Sequence, residues 1–261
     1  MTLETVRVTR YVTPLREGGS LPGVVEGDDL GTYVCKFRGA GQGVRVLVAE
    51  VIVAELARRI GVHTPRLVAL DLDPEIARYE ADEEVQDLLN ASPGLNLGID
   101  FLPGAFGYDG ANLAADERHA DAAARVLWLD AFTANVDRTW RNPNLLLWHG
   151  ELWAIDHGAS LYFHHAWPGG VTDPQRFAGQ AWSADDHVLL EFAPRLAAID
   201  DEVSGKLDSS VLAEVVAEVP DAWLEPVPGA ETADELRAAY VRFLEARLTT
   251  RQWLPTTEAA R

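Results

Sequence analysis

The chain has 261 residues, 48% of them hydrophobic, with a formal net charge of −19. That is enough apolar material for one large domain or two small lobes. A sequence pI near 4.6 works against broad binding to DNA, RNA or an anionic membrane, though a nucleotide needs only a local basic pocket.

A single cysteine, Cys35, rules out an intramolecular disulfide. The first residues lack the apolar core of a signal peptide, and no apolar run approaches the ~20 residues of a membrane span. A cytoplasmic protein is expected. In chain order, Thr5–Val12 alternates and predicts a strand, and residues 16–22 form a glycine-containing turn. Gly23–Glu26 and Thr32–Phe37 predict two more strands around the acidic turn at 27–29. Arg45–Ile60 predicts a helix that Gly61 stops. Pro65–Leu72 predicts a strand, Asp73–Asn90 an acidic helix, and Leu95–Leu102 a strand that Pro103-Gly104 ends. Ala111–Ala134 predicts a long helix, and Trp182–Ile199, Ser209–Glu218 and Ala233–Leu248 predict further helices. The expected class is α+β: a strand-rich part over residues 1–102 and a larger helical part over 103–261.

The densest signal lies between Asn135 and Gly158. Leu145–Trp148 and Glu151–Ile155 are apolar runs separated by His149-Gly150, which marks a two-residue hairpin turn. In that register Trp148 faces Glu151, Leu147 faces Leu152 and Leu145 faces Ala154. Continuing it sets Pro143 opposite Asp156 and Asn142 opposite His157. Asn142 and Asp156 then share one end of the hairpin, with Cα atoms about 5–8 Å apart. An amide oxygen and a carboxylate at one strand end suit Mg²⁺, which takes hard oxygen ligands and shares them with phosphates. Asp137 opens the same loop and is placed to position a hydroxyl. Each residue alone is ordinary: an Asp at a helix–loop junction, an Asn before a proline, an Asp ending a strand.

Lys36 is one of only two lysines, and it sits in an apolar strand, Thr32–Phe37. A solvated sheet face is its bland reading; a phosphate contact is the functional one. Such a lysine calls for a helix carboxylate. Glu55 has Arg58 and Arg59 at i+3 and i+4 and is paired locally. Glu50, alone in A-E-V-I-V-A, lacks a basic neighbour and is the better partner. Gly18-Gly19-Ser20 would let backbone N–H groups approach phosphates. The chain has no G-x-x-x-x-G-K-[ST], no G-x-G-x-x-G after a strand and no G-x-S-x-G. His157, His164 and His165 offer a metal-hydrolase rival without an H-E-x-x-H or C-x-x-C pattern.

Taken together, the glycine turn, Lys36, Glu50, F-L-P-G at 101–104, N-x-D-R-x-x-x-N at 135–142 and I-D-H-G at 155–158 resemble the HipA-like kinases, a divergent branch of the protein-kinase-like fold. The phrases Y-V-C-K-F, L-A-R-R-I-G-V-H-T-P and L-G-I-D-F-L-P-G-A are similar to its compact members. The resemblance implies a two-lobed fold and ATP- and Mg²⁺-dependent transfer of the γ-phosphate to a hydroxyl, Ser or Thr of a protein first. It implies that Lys36 contacts ATP phosphates with Glu50 as its partner, and that Gly18, Gly19 and Ser20 face them. The Phe101–Leu102 backbone would meet adenine. Asp137 would be the catalytic base, Asn142 and Asp156 would hold Mg²⁺, and Arg138 and Arg141 would add positive charge to the pocket. Val136 replaces the arginine found before the base in ordinary protein kinases, and D-H-G replaces D-F-G. The alternatives are a small-molecule or lipid kinase on the same scaffold, and a nucleotide-binding pseudokinase or regulatory module acting through a protein partner.

Overall fold

The computed structural model describes residues 3–16, 21–110 and 117–255. Strands β1 (Thr5–Pro14), β2 (Gly23–Gly27), β3 (Thr32–Lys36), β4 (Leu67–Leu72) and β5 (Gly94–Asp100) close a barrel in the order β1-β2-β3-β5-β4. Only the β1–β4 contact is parallel. Alternation decides which residues face in: Val6, Val8, Val25, Tyr33, Cys35, Val68 and Leu70 share the barrel core. Gly98 is required there, because a Cβ on β5 would stand 2.6 Å from Val68 and Leu70 side-chain atoms.

Helix α1 (Val44–Ile60) runs from β3 toward β4 and ends at Gly61, whose φ of 85° closes the helix in the left-handed region. Its residues are buried on nearly every side. They join one core with the outward residues Leu67, Leu97 and Ile99 of the barrel and with α3 (Glu117–Thr133) and the later helices.

The predicted helix over Asp73–Asn90 is two pieces, a 3₁₀ turn at Pro74–Tyr79 and α2 (Glu83–Asn90). Asp82 is extended and its carboxylate accepts from the N–H groups of Glu84 and Val85, so it starts a helix rather than continuing one. After the two-residue strand β6 (Phe106–Gly107) and α3 comes the hairpin of β7 (Leu145–Trp148) and β8 (Glu151–Ala154). Its register pairs Trp148 with Glu151, Leu147 with Leu152 and Leu145 with Ala154, as the sequence requires. His149 and Gly150 both have positive φ, 50° and 77°, the geometry that matches strand twist in a two-residue turn.

The rest is helical: α4 (Pro174–Ala178), α5 (Leu196–Ser204), α6 (Ser209–Ala217) and α7 (Ala233–Leu248), the last started by a reciprocal Thr232–Glu235 capping box. The predicted helix from Trp182 to Ile199 is absent before residue 190, where a 3₁₀ turn (Leu190–Arg195) precedes α5. Tertiary bonds hold the earlier stretch open: the Trp182 indole donates to the Asn135 carbonyl at 2.7 Å, and His187 reaches Asp130.

Candidate functional site

A cleft of about 1060 Å³ lies between the barrel and the β7–β8 hairpin. Val34, Ile99, Leu146 and Ile155 supply apolar walls, and Lys36, Asp137, Asn142 and Asp156 all line it. Lys36 leaves β3 on the face opposite Cys35 and donates to Glu50 of α1 and, at 2.7 Å, to Asp156 Oδ1. Burial alone would lower the lysine pKa; the two carboxylates overcome it and raise it. Glu55, by contrast, bonds Arg58 on its own helix.

Glu50 is 1% exposed. Burial pushes its pKa up, against the pull of Lys36. The carboxylate is nevertheless well partnered: besides Lys36 it accepts the N–H of His157 at 2.9 Å and of Gly158 at 2.8 Å. This packing explains Gly158. A Cβ there would meet Val46 Cγ1 at 2.5 Å and Glu50 Oε1 at 3.1 Å. We expect Gly158→Ala to cost about 1–3 kcal/mol as an overpacked site. An unchanged denaturation midpoint would show that the backbone shifts freely there.

Pairing in the hairpin continues one bond past the strands, with Ile155 N–H donating to the Asn144 carbonyl at 3.0 Å. Asn144 and Asp156 then take φ of 48° and 54° and leave the ladder. Pro143 and Asn142 therefore lie in a turn rather than as extrapolated strand partners. Burial would raise the Asp156 pKa, but Lys36 outweighs it and brings the group down to about 2.

The loop before the hairpin is held by its own bonds. Asn135 Oδ1 accepts the Asp137 N–H at 2.9 Å, and Asn142 Nδ2 donates to Asp137 Oδ2 at 2.8 Å. With its amide nitrogen turned to Asp137, Asn142 has an amide oxygen without a hydrogen bond among the described residues, a donor of the kind a hard cation takes.

Arg138 does not add charge to the cleft. It is 1% exposed and runs beneath the loop. It donates to Asp130 Oδ2 at 2.6 Å, to the Ile155 carbonyl at 3.0 Å and to the Asn144 carbonyl. A further contact, 3.3 Å from Nη2, is His157 Nδ1. Burial, and then Arg138, lower the His157 pKa to about 3. One guanidinium thus joins α3, the loop and both strands of the hairpin. Asp130 also receives Asn135 Nδ2 at 3.0 Å and His187 Nε2 at 2.9 Å. Leu189 N–H donates to His187 Nδ1 at 3.0 Å, which fixes the proton on Nε2.

At the other end of the cleft, Phe101 N–H is already spent on the Thr32 carbonyl at 3.0 Å. Leu102 N–H has no partner among the described residues, so it is the backbone donor left for a ligand. Gly18, Gly19 and Ser20 lie outside the described residues. Their neighbours Leu15 and Pro22, joined by a 2.7 Å backbone bond, line the cleft. His164 bonds Tyr240 and His165, and no cluster of three or more His, Cys, Asp or Glu that would hold a metal exists among the described residues.

Sequence reasoning passed over Asp130, Asn135, Asn144 and His187. The rule that singled out Glu50, a lone carboxylate in an apolar helical run, applies equally to Asp130 in V-L-W-L-D-A-F. Asn144 lines the cleft with an amide nitrogen that is unpartnered among the described residues, and nothing in its sequence neighbourhood marks it.

A family model for HipA-like kinases matches residues 8–253. The chain belongs to the HipA-like kinase family. The match takes in both the barrel and the helical half, so this HipA-like kinase is a phosphotransferase with an α+β, protein-kinase-like fold. Among solved structures it is similar to the proinflammatory kinase CtkA of Helicobacter pylori, at 9% identity and a TM-score of 0.47, with 95% of each chain covered. It is also similar to the Golgi casein kinase, at 11% identity and a TM-score of 0.41, covering 95% of this chain and 72% of that one. The same Golgi kinase with Mn/ADP bound gives 11% and 0.41, over 95% and 73%. No curated protein matches the kinase.

Proposed function

We propose that the cleft binds ATP with Mg²⁺ and that the protein transfers the γ-phosphate to a Ser or Thr hydroxyl of a protein acceptor. The observation that carries this is the convergence of Lys36, Asp137, Asn142 and Asp156 on one cavity from three separate stretches of chain: β3, the loop before the hairpin, and the stretch just after β8. Transfer of a phosphoryl group asks mainly for positioning and charge neutralisation, and these residues supply both. Lys36, held by Glu50, presents its ammonium to phosphate oxygens. Asp137, oriented by Asn142 and Asn135, accepts the acceptor's proton. Val34, Ile99 and Leu146 enclose the base, and Leu102 N–H donates to its edge.

The donor set fits Mg²⁺. An Asn oxygen and a carboxylate kept ionised by Lys36 are hard ligands, and two protein donors are what Mg²⁺ uses when phosphates complete its shell. Bound there by Asn142 and Asp156, the ion would neutralise charge on the phosphates.

The test is the thermal midpoint of wild type and Asp156→Ala with ATP plus Mg²⁺ and with ATP alone. At 100 times Kd, a ligand selective for the folded state adds about 2.7 kcal/mol. Wild type should show a metal-dependent upward shift that Asp156→Ala loses. No shift at millimolar ATP would sink the nucleotide reading.

A further inference from the structure

A second cavity, of about 520 Å³, opens on the other side of the loop that carries Asp137. Val136, Arg138 and Thr139 line it while Asp137 faces the first cleft, and Tyr162 belongs to both walls. Its far wall is the stretch from Trp182 to His187. That stretch is fastened to the loop: the Trp182 indole bonds the Asn135 carbonyl, His187 pairs with Thr139 in a β-bridge, and Val188 N–H donates to the Arg138 carbonyl at 3.2 Å. The cavity is therefore held at a fixed offset from Asp137. Adjacent Cα atoms stand about 3.8 Å apart, so a peptide whose hydroxyl reaches Asp137 brings a residue one to three positions away to the cavity.

The cavity has a definite chemistry. Two lining groups carry full charge. Arg138 is buried and committed to Asp130 and two carbonyls, whereas Asp186 is exposed and has no ion pair among the described residues. The aromatic residues Trp182 and Tyr162 also line it. A carboxylate without an ion pair among the described residues, in a cavity that aromatic rings also line, suits a planar cation, because a guanidinium can stack on a ring and fork to a carboxylate. The volume is that of a small-ligand site, enough for one long side chain. The net charge of −19 also draws a basic acceptor toward the surface.

We infer that this cavity sets the acceptor's register, and that it takes an arginine side chain lying within three residues of the phosphorylated Ser or Thr. The inference rests on the protein-acceptor reading above. Its test is an arrayed library of Ser/Thr peptides, each with one flanking residue fixed, incubated with the full chain and Mg²⁺·ATP. For wild type, arginine at one flanking position should outpace glutamate by about tenfold or more, the size of one desolvated cation–aromatic contact. Asp186→Arg should invert that preference at the same position, and Asp186→Asn should flatten it. The melting temperature of each variant reports folding separately. Identical profiles for wild type and both variants, or phosphorylation with no basic preference, would overturn the cavity's role and leave the kinase reading standing. A wild type that shifts with Mg²⁺·ATP yet labels no peptide would overturn the protein-acceptor reading, and this inference with it.

Discussion

Asp137→Asn should lower phosphate transfer to the best library peptide by about 10²–10⁴-fold, the usual worth of a positioned general base. The substitution is chosen for what it preserves. Asn142 Nδ2 donates to Asp137 Oδ2 at 2.8 Å, and an asparagine side chain still offers an oxygen to that donor. The loop bond between Asn135 Oδ1 and the residue 137 N–H involves only backbone on the Asp137 side. Charge and basicity are lost while shape is kept. The thermal shift with Mg²⁺·ATP should persist, separating a missing base from a collapsed cleft. A variant as fast as wild type would remove Asp137 from the chemistry.

Asp130→Ala should be the most damaging single change to stability, by about 3–5 kcal/mol, because it strands the Arg138 guanidinium as an uncompensated buried charge. Both side chains of the pair are fully buried, and the loss also strips partners from His187 and Asn135. Burial would push the Asp130 pKa up, but Arg138 and His187 outweigh it and bring it down to about 2. The sign follows: a depressed carboxylate pKa stabilises the fold above its ordinary value of 3.8, and that contribution drains away as pH falls toward 2. Denaturant midpoints at pH 7 and across the acid limb measure both effects. An Asp130→Ala midpoint within error of wild type would mean that Arg138 finds water.

Much of this was readable from residues alone, where local chemistry decides. The β7–β8 register follows from X-Gly between two apolar runs, and the helix expected over Ala233–Leu248 is α7 at the same bounds. What resisted reading is where distant parts meet. Residues 182–189 have helical patterning, yet Trp182 and Val188 bond the loop some fifty residues earlier and His187 bridges to its Thr139 and bonds Asp130 of α3, and those contacts override local preference. The family resemblance implies Arg138, the residue after Asp137, as a pocket cation; only the fold shows that α3 brings Asp130 beneath it. The continuation of the hairpin past Ile155 failed for a related reason. The positive φ of Asn144 and Asp156 follows from Arg138 and Glu50 holding the backbone on either side, and no side-chain pattern encodes it.

The partition of apolar side chains has a mechanical consequence. Cys35 and Phe37, which flank Lys36, belong with Tyr33 to the barrel core, while α1 lies in the other core, which it shares with α3, the later helices and a few outward barrel residues. Glu50 therefore travels with the floor of the cleft and Lys36 with its roof. Any rocking of the barrel stretches the bonds from Lys36 to Glu50 and to Asp156 first, before the bonds from Glu50 to His157 and Gly158, whose two ends ride together on the floor. A spectroscopic ruler between β3 and α1 would read the opening of the cleft, whereas one between α1 and the Asp156 loop would stay still.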